Sequence, residues 1–154
     1  PYSVGGTHRH IPEILQNFAH AAGKSAAEAD DYTLAFTPIL APMARGILAT
    51  VSAKLTDKAL GMTDAESRQV RLDAYEGQEF RVVLPEGVMP ATANIIGSNA
   101  AHIQVVVDHH AGRLLAFAAI DNLNRGTAGQ AVQSLNVALG LPEDAGLTKI
   151  GVAP

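Results

Sequence analysis

The sequence contains no cysteine. Without a thiol the chain can close no disulfide, build no thiolate metal site and supply no cysteine nucleophile of its own. Charge is scarce as well: 17% of residues carry one, and 15 acidic against 11 basic side chains leave a formal net charge of −4. A nucleic-acid surface gathers Lys and Arg on one face, so no nucleic-acid partner is expected. No apolar run approaches the roughly 20 residues that cross a bilayer, and no segment is built like a signal peptide. No membrane partner is therefore expected, and the plain expectation is a soluble cytoplasmic protein. Gly-x-Gly-x-x-Gly and Walker A sequences are missing, so a nucleotide-binding fold is not encoded in its usual form. The first residue is Pro1 rather than an initiating Met. The chain is therefore expected to be a domain taken from a longer protein.

What remains suits an ordinary folded domain. At 154 residues and 47% hydrophobic the chain can bury a core of single-domain size. Ile11, Ile14, Leu15, Phe18 and Ala22 recur at three- and four-residue steps, which predicts a helix over 10–24 with Pro12 in its first turn and Gly23 at its end. Ser25 with Glu28, and Thr63 with Glu66, have the spacing of capping boxes. They predict a short helix or turn over 25–30 and a helix over 64–75. Apolar runs predict strands over 32–36, 46–55, 80–84, 103–108 and 114–120, the last two forming a hairpin around His109–Gly112. A final helix is expected over 127–139, closed by Gly140 and Pro142. Strands and helices do not alternate regularly. The expected class is α+β: a mixed, mainly antiparallel sheet with helices packed on one face, in a single domain over residues 1–154.

Three polar clusters are candidates for chemistry. The densest runs from Gly5 to His10, with Glu13 just inside the following helix. Free amides and a positive dipole end at a helix start favour anions, and the Arg9 guanidinium can grip a carboxylate or phosphate through two hydrogen bonds. Histidines such as His8 and His10 can act as acid, base or hydrogen-bond donor near neutral pH. The alternative is a solvated helix cap. His-x-His is also a possible metal pair, but no third ligand follows at a familiar spacing, so no metal is expected. The second cluster is Phe36–Gly46, where Pro38 and Pro42 stiffen the turn and Gly46 permits close backbone approach, so that Arg45 is a candidate anion binder. The third is Ile120–Gln130, a polar strand-to-helix link of the kind that contacts ligands. Asn99 and His102, near Gly97, form a weaker fourth site, and His109 with His110 reads as an exposed hairpin tip.

These residues carry a family resemblance. His8 through Ile14 reads His-Arg-His-Ile-Pro-Glu-Ile and closely resembles the His-Arg-His-x-Pro-Glu-Ile element of the N-acetyl-gamma-glutamyl-phosphate reductases. Phe36 through Gly46 looks like the next motif of that family, and Asp121 through Ala131 resembles its closing Asp-Asn-Leu-x-Lys-Gly-Ala-Ala-Gly element. Leu84–Gly87 and Asn99 fall in the matching order, so the likeness is collinear along essentially the whole chain. It implies a C-terminal domain like that of glyceraldehyde-3-phosphate dehydrogenase. The implied activity is the NADPH-dependent reduction of N-acetyl-gamma-glutamyl phosphate to N-acetylglutamate semialdehyde, in arginine biosynthesis. In that family a Cys thiolate attacks the acyl phosphate, phosphate leaves, hydride reduces the thioester, and a His serves as acid/base.

By the same resemblance His8 and His10 are the acid/base candidates, with His8 slightly favoured, and Glu13 would orient the pair or the helix start. Arg9 and Arg45 would take the carboxylate and phosphate of the substrate. Asn122, Arg125 and Gly126 would lie near the nicotinamide end of an NADP held mainly by an upstream domain absent from this chain. The domain would also supply contacts for a homo-oligomer. Several departures stand out. The nucleophilic Cys and the Gly-rich domain are missing, so the chain alone is expected to be inactive. Arg125 stands where Lys is commoner, and Ile39 where His often stands. The rival enzyme is an aspartate-semialdehyde dehydrogenase, which the His-Arg-His element argues against. A non-catalytic oligomerisation or binding module is the other rival. Ala131, Val132, Leu135, Val137 and Leu139 of the final helix are expected to face a missing partner.

Overall fold

A computed structural model describes residues 1–152. Backbone contacts divide the chain into two compact units, Pro1–Met43 and Ala44–Pro154.

The first unit is built on helix α1, Ile11–Ala21. Pro12 lies in its first turn, where a missing N–H costs no helical bond. Gly23, at φ +72°, ends it: the Lys24 N–H returns to the Ala19 carbonyl at 2.9 Å, a closure that needs a left-handed residue. A 3-10 turn follows over Ala26–Asp31, and the Ser25–Glu28 capping box starts it. The strand expected over 32–36 does not form. That stretch joins no ladder among the described residues, and β-branched or aromatic content cannot make a strand without a partner edge.

The second unit holds a four-stranded sheet in the order β1-β4-β3-β2. Its strands are β1 Ile47–Lys54, β2 Arg81–Val83, β3 Ala101–Asp108 and β4 Arg113–Ile120. β1 pairs antiparallel with β4, β4 antiparallel with β3, and β2 parallel with β3. The expected α+β class with a mixed, mainly antiparallel sheet is what forms. The β3–β4 hairpin turns on Gly112, and Asp108 Oδ1 accepts the Ala111 N–H at 2.8 Å. Helix α2, Asp57–Leu60, is a single turn capped by Thr56 that the sequence reading passed over. Helix α3, Asp64–Ala74, starts at the Thr63–Glu66 capping box, an arrangement that contributes about 1 kcal/mol to such a helix.

The final helix differs from expectation at its start. The chain enters through a π-helical turn over Asn124–Ala128 before α4, Gly129–Ala138. The Gly126 N–H reaches the Asp121 carbonyl and the Ala128 N–H the Leu123 carbonyl, each five residues back.

Cross-strand partners share a face, and the register sorts the sheet into two unlike ones. Ile47, Ala49, Val51 and Ala53 of β1 lie beside Ile120, Ala118, Ala116 and Leu114 of β4, which lie beside Ala101, Ile103, Val105 and Val107 of β3. Across these three strands that face is apolar, and β2 continues it with Arg81 and Val83. The opposite face carries Thr50, Ser52, His102 and Gln104. Gln104 is buried there, and its amide donates to the Pro85 and Val88 carbonyls at 2.8 and 3.0 Å, which fastens the loop after β2 to the sheet.

Candidate functional site

In the first unit the His8 cluster sits between a glycine turn and the start of α1. Gly5 and Gly6 take φ of +70° and +82°, a region a Cβ would strain. The Thr7 hydroxyl closes the turn on the Val4 carbonyl at 3.0 Å. The half-buried His8 ring is then held on several sides. Phe36 meets it edge-on with centroids 4.9 Å apart, the His10 ring lies at 5.0 Å and the Tyr2 ring at 5.8 Å. The His10 backbone N–H donates to His8 Nδ1 at 3.2 Å. With Nδ1 accepting, the neutral ring carries its proton on Nε2. Nε2 has no hydrogen-bond partner among the described residues and is the nitrogen left for chemistry. Arg9 and the His10 ring are exposed, and Arg9 makes no ion pair among the described residues. Glu13 is exposed in the first turn of α1, where its charge suits the helix dipole, but it bonds to neither histidine.

In the second unit Arg45 is drawn to a residue 76 positions away. Asp121, just past β4, is fully buried. Its Oδ1 accepts Arg45 Nε at 3.1 Å, the Leu123 N–H at 2.9 Å and the Asn124 N–H at 3.3 Å. Its Oδ2 accepts the Gly97 N–H at 2.7 Å and an Nη of Arg45. Burial alone would raise this carboxyl. The Arg45 guanidinium and the Gly97, Leu123 and Asn124 amides together override burial and bring the pKa down to about 2. Asn122 works on the same loop: its Oδ1 accepts the Gly46 N–H at 2.6 Å. Gly46 has φ +108°, and a Cβ there would stand 2.9 Å from Thr92, so glycine alone allows this closure. Asn124 Nδ2 donates to the Gly97 carbonyl at 2.7 Å.

A third network lies under the start of α4. Gln133 Oε1 accepts from Asn99 Nδ2 at 2.9 Å and from Arg125 Nη1, while Gln133 Nε2 donates to Glu143 at 2.5 Å. Asn99 is fully buried, and its Oδ1 has no hydrogen-bond partner. Burial and the nearby Arg81 charge pull the Arg125 guanidinium below its ordinary value, with Glu143 acting against them.

The structure thus brings His8 and His10 together, and joins Arg45 to the Asn122–Gly126 turn. Glu13 stands apart from the histidines. His102 is half-buried, and burial pushes its imidazole down. His109 is at the hairpin tip, 3.2 Å from Asp64. The sequence reading included Asp121 in its third cluster without a role, and it missed Gln133. An acidic residue directly after a strand and before Asn-Leu-Asn is the one available signal for the first, because Asx side chains bond the amides that follow them.

A family described as semialdehyde dehydrogenase, dimerisation domain, matches residues 1–122. The chain belongs to that family. Three relatives of this domain share one name. A protein of Bifidobacterium longum (strain DJO10A), named N-acetyl-gamma-glutamyl-phosphate reductase, is 80% identical over 154 residues, 100% of this chain and 42% of that protein. Proteins of the same name from Bifidobacterium animalis subsp. lactis (strain AD011) and Renibacterium salmoninarum are 70% and 52% identical, with the same coverage. The chain therefore spans 42% of the length of the curated relatives it matches.

The apolar sheet face of the dimerisation domain stands out against this family description. None of its residues, from Ile47 and Val51 on the edge strand to Val105 and Val107, is buried. The positions flagged on the final helix are open too, with Leu135, Val137 and Leu139 each more than half exposed. Contiguous apolar surface of this kind marks an interaction site.

Proposed function

We propose that this chain is the substrate-handling and oligomerising part of a cytoplasmic, NADPH-dependent N-acetyl-gamma-glutamyl-phosphate reductase of arginine biosynthesis. The observation that carries this reading is 80% identity along the whole chain to a protein of that name. The thiol nucleophile implied by the family resemblance is not among these 154 residues, which contain no Cys, so it comes from an upstream nucleotide-binding domain. His8 is the acid/base candidate: its Nδ1 is held by the His10 N–H, which leaves the Nε2–H of the neutral ring as a donor to the thiolate sulfur or to a substrate oxygen. Arg9, exposed at the helix start, and Arg45, by its Nη1 side, are each a candidate to bind an anionic group of the substrate.

The residues at the π turn fit a nicotinamide. Asn122 has its Oδ1 occupied by Gly46 while its Nδ2 has no partner among the described residues, which leaves a donor for a carboxamide oxygen. A side chain at Gly126 would meet nothing nearer than 3.7 Å, so the backbone there is uncrowded. NADPH, when bound, supplies the hydride. Asn122, Arg125 and Gly126 orient its reactive end.

The test is to mix this chain with the separately expressed upstream half and follow phosphate-dependent NADPH formation from N-acetylglutamate semialdehyde. Activity in the mixture and in the intact parent, with none from either half, is expected. An intact parent that is folded but inactive in this assay would sink the reading.

The open sheet face supports a homo-oligomer, and a second copy is its occupant. Light scattering at micromolar concentration is expected to give at least a dimer. Ala116→Asp, a charge placed at the middle of the apolar face, is expected to give a monomer. A monodisperse wild-type monomer would count against this assembly.

A further inference from the structure

We infer that Asp121 is a positioning residue that couples the two ligand contacts of this domain, because one buried carboxylate holds both the Arg45 guanidinium and the Asn122–Gly126 turn. The inference rests on the proposed roles of Arg45 toward the substrate anion and of Asn122, Arg125 and Gly126 toward the cofactor.

The geometry is specific. Asp121 takes Arg45 by Nε and one Nη, so the guanidinium is fixed along one edge and only its Nη1 side remains to meet an anion. The same Oδ1 that accepts Arg45 Nε accepts the Leu123 and Asn124 amides, which are the first turn of the loop carrying Arg125 and Gly126. Asn122 then reaches back to Gly46, the neighbour of Arg45. Asn124 Nδ2 and the Gly97 N–H close the other side of the loop: Asn124 bonds the Gly97 carbonyl, and Gly97 bonds Asp121 Oδ2. Three chain segments that are far apart in sequence therefore share a single anchor. Asp121 is fully buried and acts through the groups it orients. A displacement of the anchor moves both contacts together, and misplacement on the order of 1 Å can cost about 100-fold in rate.

Arg45→Lys and Asp121→Asn test this in the intact reductase. Lysine keeps the charge of Arg45 but offers one point donor in place of the fork. The KM for NADPH and the KM for the acyl phosphate are measured separately. Both are expected to rise, each by about tenfold, in either variant, as loss of a charge-assisted hydrogen bond implies. A rise in the acyl-phosphate KM of Arg45→Lys with an unchanged NADPH KM would overturn the coupling. Should Asp121→Asn not fold, Arg45→Lys decides alone. Amide hydrogen exchange at Leu123 and Asn124 in Arg45→Lys gives a readout independent of activity. Exchange about tenfold faster is expected, and unchanged exchange rejects the proposal. An intact parent with no reductase activity would remove the functional reading, while the exchange measurement would still decide whether Asp121 couples Arg45 to the turn.

Discussion

Replacing His8, the proposed acid/base, with alanine in the intact parent of the proposed reductase is expected to lower kcat/KM about 100- to 10,000-fold, the range of a lost general acid/base. His10→Ala is expected to cost much less. The difference follows from which atoms do the work. His10 serves His8 through its backbone N–H, 3.2 Å from His8 Nδ1, and alanine retains that group. The His10 ring adds one edge contact at 5.0 Å, beside the closer contact from Phe36 at 4.9 Å. His8 is half-buried with its Nδ1 pinned and its Nε2 free, whereas the His10 ring is exposed. Steady-state kinetics of the two variants, each checked for folding by circular dichroism, decide the assignment. Equal losses, or a greater loss in His10→Ala, would transfer the role to His10.

The second large effect concerns stability in acid. Asp121 has a carboxyl pKa of about 2 against an ordinary 3.8. The folded value is depressed, so the group contributes stability that is fully present above about pH 4 and lost as pH falls from about 4 towards 2. A shift of that size corresponds to roughly 2.5 kcal/mol. Asp121→Asn removes this dependence and also breaks a buried ion pair, at a cost of about 3–5 kcal/mol near neutral pH. For a domain whose whole stability is of order 5–15 kcal/mol, the variant is expected to sit near its unfolding threshold. Urea unfolding of both forms at pH 7 and pH 3 measures it. The gap between wild type and Asp121→Asn should narrow in acid; a gap independent of pH would show that the carboxylate charge is not what holds the loop.

Two kinds of information produced this molecule. The capping boxes at Ser25 and Thr63, the Gly23 stop and the hairpin around His109–Gly112 were legible because each depends on residues within about five positions of one another. The His8–Glu13 cluster was legible for the same reason: its residues are adjacent in the chain. What the sequence could not decide was pairing at a distance. The stretch over 32–36 has strand-like residues yet joins no ladder, because a strand exists only where another offers its edge. The π turn before α4 follows the local bonds of Asp121 to the Leu123 and Asn124 amides, but the Arg45 and Gly97 groups that fix Asp121 come from far along the chain. Arg45 read as a candidate anion binder held by its proline-framed loop, and only the fold brings Asp121 to it across 76 residues. The twelve apolar side chains of one sheet face were visible singly as strand residues. That they form one uncovered surface is a matter of register, which is set when the strands meet. The sequence by itself determined the local elements and the chemical groups on offer; the tertiary structure decided which groups meet, because contacts between distant segments depend on burial and hydrogen bonding of the whole chain.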